Sequence, residues 1–221
     1  MKVTYLEHSG FAAEYKEYVL IFDWYRGSLP EFDQQKKIYV FASHSHYDHF
    51  NKKIFGWSEQ YPDVRYILSA DIAGKEQSER TAYVTANKKY DFDGIKVQTL
   101  HSTDEGVAFI VYMEDKVIYH AGDLNWWHWE EETESYNEQM RQDYQREIDK
   151  LKDIVIDIAF VPLDPRQENQ YAWGMDYFMK HTHTKYVFPM HMWGDYEVYD
   201  RLMENPEAEP KIGRASCRER V

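Results

Sequence analysis

The densest set of possible metal ligands in the sequence is the six-residue stretch His44-Ser-His46-Tyr-Asp48-His49. Neutral imidazole nitrogens and carboxylate oxygens both bind Zn²⁺, at about 2.0–2.2 Å. In an extended chain His44 and His46 point to the same side, whereas Asp48 and His49 follow a turn and face a second position. One ion does not readily take all four ligands, so the spacing predicts two neighbouring metal ions.

Three residues further along the chain are candidates for the remaining ligands: His101, Asp123 and His191. Each follows or ends a predicted strand, and loops at strand ends are where a rigid scaffold presents reactive groups. Gly122 allows the backbone to turn closely beside Asp123. Taken alone, His101 or His191 would be interpreted as a surface histidine, and Asp123 as a helix-capping aspartate. Together with the six-residue stretch they indicate a metal site.

The elements that must position these residues are short strands with few helices. Alternating and apolar runs predict strands at 2–6, 11–16, 18–23, 37–42, 64–69, 95–100, 107–113, 116–121, 154–162 and 185–189. Capping residues and helical periodicity predict helices at 133–152 and 171–181. Because antiparallel strands come first and helices then alternate with strands, the order predicts two packed sheets with helices outside.

The order of ligands resembles that of the metallo-β-lactamase-fold hydrolases: His-x-His-x-Asp-His at 44–49, then His101, Gly122-Asp123 and Met190-His191. The segments Tyr5-Leu-Glu-His-Ser-Gly-Phe11 and Tyr119-His-Ala-Gly-Asp123 make the chain more similar to the branch that contains L-ascorbate 6-phosphate lactonase. This resemblance extends from about residue 2 to about residue 205. It implies an α+β fold, a four-layer αββα sandwich with metals at one edge of the sheets.

The resemblance also implies the ligand sets. His44, His46 and His101 would bind the first metal, Asp48, His49 and His191 the second, and Asp123 both. The expected cofactors are two divalent ions, Zn²⁺ first, with Mn²⁺ or iron fitting similar ligands. A hydroxide bridging the ions would be the nucleophile, and Asp48 would be catalytic by orienting it or taking its proton.

Four aromatic residues outside the ligand sets are candidates for contact with substrate. His8 falls in the first hairpin turn, where the family often places a residue near the site, and a structural role remains open. Trp126, Trp127 and His128 directly follow the Asp123 loop, and we expect them to wall a substrate pocket. Ordinary aromatic packing is the alternative.

The last eleven residues, 211–221, differ in character from the rest of the chain. They resemble a translated sequencing adapter, so we expect a single domain at 1–210 and a non-native tail that holds the only cysteine, Cys217. On this interpretation disulfide and thiolate chemistry are excluded, and the native C-terminus lies outside the sequence.

Composition narrows the class of protein. Hydrophobic residues make up 43% and aromatic residues 17%, which excludes a disordered chain. A net charge of −13 without a basic cluster opposes nucleic-acid binding. No apolar run has the length of a membrane span or the core of an export signal, so we expect a cytoplasmic protein. A small molecule is the expected partner, and the oligomeric state is open.

These observations predict a metal-dependent hydrolase of a small ester, lactone or phosphoester. Two alternatives stay open. The chain could be a redox or sensor domain that binds iron with the same ligands, or a non-catalytic protein that keeps its metals for structure. Bound iron would identify the first, and turnover lost on substitution of Asp123 by Ala would exclude the second.

Overall fold

The computed structural model describes residues 1–74, 78–204, 212–213 and 216–217. The chain divides into two compact units, one formed by Met1–Thr85 with the described residues after 213, and one formed by Ala86–Gly213. Each unit contains one β-sheet. The prediction that residues 1–210 form a single domain stays a prediction.

The sheet of the first unit has six main strands in chain order: β1 (Lys2–Glu7), β2 (Gly10–Tyr15), β3 (Tyr18–Phe22), β4 (Lys37–Ala42), β5 (Val64–Ser69) and β6 (Thr81–Val84). β1 to β3 are antiparallel, and β3 to β6 are parallel. Parallel neighbours end at the same edge of a sheet. The residues that follow β3, β4 and β5 therefore lie close to one another.

The core of the first unit is formed by one face of this sheet and a 3₁₀ segment, Lys52–Glu59. Ile21, Val40 and Leu68 come from three neighbouring strands and are almost fully buried, as is Ile54 of the 3₁₀ segment. Burial of such side chains stabilises a fold by about 1.5–3 kcal/mol each. This buried core thus fixes the positions of the strand ends that bear polar residues.

The sheet of the second unit also has six strands: β7 (Lys89–Phe92), β8 (Ile95–His101), β9 (Val107–Met113), β10 (Lys116–His120), β11 (Val155–Pro162) and β12 (His183–Met190). β7 to β10 form an antiparallel meander, and β10, β11 and β12 are parallel. The carboxyl ends of the last three strands therefore share one edge.

The described part of the second unit contains three α-helices: α1 (Glu134–Ile148), α2 (Trp173–His181) and α3 (Glu197–Met203). α1 begins where the Thr133 side chain accepts a hydrogen bond from the backbone N–H of Tyr136, which caps the helix. The buried Tyr144 hydroxyl of α1 donates to the Gly174 carbonyl of α2 at 2.7 Å. Phe178 of α2 stacks on Tyr119 of β10, with ring centroids 5.1 Å apart.

The predicted strands and helices all have counterparts, with ends that differ by a few residues. The structure adds β6, β7, α3 and short 3₁₀ segments that the sequence patterns did not indicate. In the stretch expected to be a non-native tail, Ser216–Cys217 pairs with β1, and the Gly213 N–H donates to the Val187 carbonyl. Within the described residues, no helix has the length and apolar character to cross a membrane.

Candidate metal centre

The first unit positions its candidate ligands at the adjacent carboxyl ends of β3 and β4. Asp23 directly follows β3, and Ser43 and His44 directly follow β4. The backbone N–H of Asp23 donates to the Phe41 carbonyl at 2.9 Å, which fixes the two ends against each other. Asp23 has a φ of 43° and is fully buried. Such backbone strain is tolerated where the surrounding structure holds the residue in place.

Asp23 is the centre of a buried hydrogen-bond network. Its carboxylate accepts from His49 Nδ1 at 2.7 Å and from the backbone and hydroxyl of Ser43 at 2.8 and 2.6 Å. The Ser43 hydroxyl uses its proton toward Asp23, so its oxygen accepts from His44 Nδ1 at 2.9 Å. Both imidazoles are thereby fixed with the proton on Nδ1.

The loop that carries His44 to His49 turns as the spacing predicted. The backbone N–H of His49 donates to the His46 carbonyl at 3.1 Å, and that of Ser45 donates to Asp71 Oδ2 at 2.6 Å. The rings of His44 and His46 meet edge to face with centroids 4.5 Å apart. His44 is buried, and His46 is exposed.

His8, Asp48 and His49 form a second cluster in the first unit, and their candidate ligand atoms lie within 4.8 Å of one another. His8 Nε2 lies 3.3 Å from Asp48 Oδ2, and His49 Nε2 lies 3.9 Å from the same oxygen. Burial alone would raise the pKa of Asp48, but the hydrogen bond from His8 and the electrostatic interaction with His49 lower it to about 2. Asp48 is therefore a carboxylate at neutral pH.

The second unit brings Asp123 and His191 together beyond the ends of β10 and β12. His191 Nε2 lies 3.4 Å from Asp123 Oδ1, and both residues are buried. The chain reaches Asp123 through Gly122 at φ 54°, a left-handed conformation that glycine adopts without steric cost. His191 itself has a φ of 65°. The tight turn after each strand aims the side chain along the sheet edge.

Asp164, which follows β11, orients His191. Its buried carboxylate accepts from His191 Nδ1 at 2.9 Å, from Trp193 Nε1 at 3.3 Å and from Arg166 Nε at 3.0 Å. Burial opposes ionisation of Asp164, yet the hydrogen bonds from His191 and Arg166 lower its pKa. Asp164 therefore stays charged and holds the imidazole with Nε2 directed to Asp123.

His101 is placed differently from the other candidates. It ends β8 and is exposed, and its Nδ1 donates to the Ser102 carbonyl. Its backbone N–H donates to Glu147 Oε2 at 3.2 Å. Among the described residues, no group of three or more candidate ligand atoms includes His101. Its role as a ligand stays a prediction.

The chemistry of these donors fits a divalent metal. Four predicted ligands share one tautomer, with the proton on Nδ1 and the lone pair on Nε2: His44, His49, His101 and His191. Metal-binding histidines typically donate the second ring N–H to a carboxylate or carbonyl in this way. His120, which was not predicted as a ligand, has the opposite tautomer because its Nδ1 accepts from the Gly122 N–H at 3.1 Å.

Trp126, Trp127 and His128 do not all line one cavity, and their contact with substrate stays a prediction. Trp127 is buried, donates from Nε1 to the Asp123 carbonyl at 3.0 Å, and lies 5.6 Å from the His191 ring. Trp126 and His128 turn to a cavity of about 710 Å³ in the second unit. This cavity is also lined by one aromatic and several acidic residues: Trp173, Glu130, Glu132, Glu134 and Glu138.

Asp23 and Asp164 hold two of the candidate ligands and were not predicted from the sequence. Both come within two residues of the end of a buried strand. Asp123 was predicted as a ligand because it also follows a strand end, so the same signal in the sequence pointed to Asp23 and Asp164. Their partners lie 26 and 27 residues away along the chain, and no local pattern links them.

Comparison with known proteins identifies relatives with the same architecture. A curated metal-dependent hydrolase (UPF0173) from Desulforamulus reducens is 29% identical over 141 residues, covering 56% of this chain and 62% of that protein. The match thus spans less than two thirds of the relative's length. A solved metallo hydrolase from Ignicoccus hospitalis superposes with a TM-score of 0.65 at 16% identity, covering 97% of this chain and 94% of the other.

A third likeness is to a diiron β-hydroxylase from Streptomyces venezuelae, with a TM-score of 0.52 and 10% identity, covering 86% of this chain and 44% of that protein. The prediction of the metallo-β-lactamase fold is confirmed, whereas the lactonase branch stays a prediction. The family model for the beta-lactamase superfamily domain matches residues 2–138, more than half of the sequence. The chain belongs to the beta-lactamase superfamily domain family.

Proposed function

We propose that this protein is a metal-dependent hydrolase of a small ester, lactone or phosphoester, with two zinc ions as cofactors. One observation carries the proposal: two candidate ligands, His49 and His191, are each held by a buried aspartate that fixes Nε2 as the ligand atom. A carboxylate that accepts the second ring N–H is the typical partner of a metal-binding histidine.

Seven residues are proposed as ligands of two ions. His44, His46 and His101 would hold one, and Asp48, His49 and His191 the other. Asp123 would contact both. The support is the shared tautomer of four of the histidines, the ionised state of Asp48 and the 3.4 Å approach of Asp123 to His191.

Bound divalent ions would supply a nucleophile from water near neutral pH and polarise the scissile carbonyl or phosphoryl oxygen. The chain's own part is to place and hold charges. Asp48, a carboxylate 3.3 Å from His8, would orient an attacking water or take its proton. Asp164 keeps His191 in place, and the Trp127 indole is fixed beside Asp123 by its hydrogen bond to the Asp123 carbonyl.

A small-molecule substrate remains the expected partner. The relatives are named metal-dependent hydrolases, and the chain's charge of −13 disfavours nucleic acid. We extend the hydrolase activity to this chain on those grounds. Cytoplasmic location stays a prediction.

A redox role with iron is the second candidate. The observation that favours it is the similarity in fold to a diiron β-hydroxylase. Imidazole and carboxylate donors suit iron as well as zinc. Iron content and an absorption band in the visible range would distinguish this function from hydrolysis.

Turnover of small esters, lactones and phosphodiesters by matched histidine variants tests the proposal. We expect His44→Ala to lower kcat/KM at least about 100-fold, because it removes a buried ligand. His183→Ala, an exposed histidine of β12, serves as the control and should retain activity. Equal turnover by the two variants would contradict the proposal.

A further inference from the structure

Arg166 follows β11 and has an unusual environment for a half-exposed cation. Its side chain is 48% exposed. Nε and Nη2 donate to the Asp164 carboxylate. The guanidinium lies over the indole of Trp193 at 4.6 Å and over that of Trp129 at 5.7 Å. Asp164 therefore fixes one edge of this group, and two indoles pack against it.

The guanidinium belongs to the same cluster of side chains as a proposed ligand. Asp164, which holds Arg166, also accepts from His191 Nδ1. Trp129 stacks on Trp127 with an interplanar angle of 6°, and Trp127 lies 5.6 Å from the His191 ring. Arg166 is thus connected to His191 by two routes, one through Asp164 and one through the stacked indoles.

The two charged side chains of this cluster, Asp164 and Arg166, differ in burial. Asp164 is fully buried, whereas half of the Arg166 side chain is accessible. Solvent therefore reaches the Arg166 side chain, whereas the Asp164 side chain is covered. A guanidinium is planar and always charged, and its fork of N–H donors matches the two oxygens of a carboxylate or phosphate. Fixing it beforehand lowers the entropy cost of binding.

We propose that Arg166 forms an oxyanion-binding subsite that holds a carboxylate or phosphate group of the substrate. The inference rests on the proposed function, since it places this subsite beside a proposed metal ligand. It narrows the substrate class to small molecules that carry an anionic group in addition to the bond that is hydrolysed. The alternative is that Arg166 only positions Asp164, and through it His191.

Calorimetric titration with inorganic phosphate separates the two roles. The proteins are the zinc-loaded wild type, Arg166→Met, Arg166→Lys and a control, Arg146→Met, which removes an exposed arginine paired with Asp143 on α1. Zinc content is measured on the same samples. We expect Arg166→Met to weaken phosphate binding at least about tenfold with zinc retained. Arg166→Lys should restore part of the affinity, and Arg146→Met should leave it unchanged.

Three outcomes would overturn the proposal. Equal phosphate affinity in wild type and Arg166→Met would overturn it. A wild type that binds no phosphate would also overturn it. Loss of zinc in Arg166→Met with recovery in Arg166→Lys would assign the residue to positioning Asp164. A wild type that holds no metal would end the proposed hydrolase function, while the phosphate titration of the same proteins would still decide the role of Arg166.

Discussion

At the scale of the residue, two aspartates determine which ring nitrogen of a candidate histidine ligand carries the lone pair. Asp23 and Asp164 each accept the Nδ1 proton of a candidate ligand, at 2.7 and 2.9 Å. A carboxylate can only accept, so the imidazole proton must be on Nδ1 and the lone pair on Nε2. The same arrangement appears in each unit, built on different strands.

Asp23→Asn tests whether this control of the tautomer matters. An asparagine tolerates the φ of 43° at this position, so we expect the fold to persist. Its amide can donate to His49 Nδ1, which would move the imidazole proton to Nε2. We expect zinc affinity, measured by competition with a chelator, to fall about 10–100-fold. Asp91→Asn, on the exposed strand β7, is the control, and equal affinities in the two variants would refute the role of Asp23.

The ligand residues and their partners differ in how far the sequence predicts them. His44 to His49 stand out because four donors fall within six residues. Asp23 and Asp164 do not, because each meets its histidine only after the sheet has formed. His8 is an intermediate case: its turn position was noticed, but its contact with Asp48 depends on how β1 and β2 are joined.

At the scale of the element, parallel strands gather the polar residues. β3 and β4 bring Asp23 beside Ser43, and β10, β11 and β12 bring Asp123, Asp164 and His191 to one edge. The strands themselves are apolar and buried, which gives their ends a fixed position. The order of the strands in each sheet therefore brings these polar residues together.

Gly174→Ala tests the packing of α2 beside the Asp123 segment. Alanine usually stabilises a helix relative to glycine, but a Cβ here would lie 2.0 Å from Asn125 Oδ1, and Asn125 is buried. We expect a loss of about 1–3 kcal/mol in the free energy of unfolding. At Gly56 no atom lies within 4 Å of the added Cβ, so Gly56→Ala should be neutral or slightly stabilising. Urea denaturation measures both, and a stabilised Gly174→Ala variant would contradict the packing.

Asp157 of β11 joins three strands of the second sheet and makes stability depend on pH. Its carboxylate accepts from Lys185 Nζ at 2.7 Å and from the Val117 N–H at 3.0 Å. Burial opposes ionisation, but these hydrogen bonds lower its pKa in the folded state. Its contribution is therefore complete above the pKa of the unfolded chain, about 3.9, and is lost as the pH falls through the lower folded value.

We expect Asp157→Asn to lower the free energy of unfolding by about 1 kcal/mol at neutral pH, a modest value because Lys185 is largely exposed. The difference from wild type should shrink as denaturation is measured from about pH 7 down to about pH 3. A difference that grows on acidification would show that the pKa of Asp157 is not lowered.

The elements that the sequence patterns missed share a physical character. β6 and β7 have four residues each and lie at the ends of their sheets, and β7 is mostly exposed, with the sequence Lys-Tyr-Asp-Phe. Edge strands have a partner on one side only, so little burial and little alternation mark them. α3 has seven residues, too few for a clear helical period. The longer strands were predicted because their residues alternate in polarity or are apolar on both faces.

At the scale of the whole molecule, the chain consists of two units, each with a mixed sheet whose parallel strands carry candidate ligands at their carboxyl ends. The family and the fold were predictable because the ligand spacing is specific. The substrate was not, because the side chain proposed to bind it, Arg166, is placed by tertiary contacts that no local pattern shows. The interpretation of 211–221 as a non-native tail stays a prediction.

The metal content of the purified 221-residue chain, expressed and handled without chelators, tests the central claim most directly. Elemental analysis of the folded protein should find about two zinc ions per chain, and chelation should abolish turnover that added zinc restores. Iron in place of zinc would favour the redox function. A folded protein that contains no metal and takes up none on addition of zinc would contradict the account.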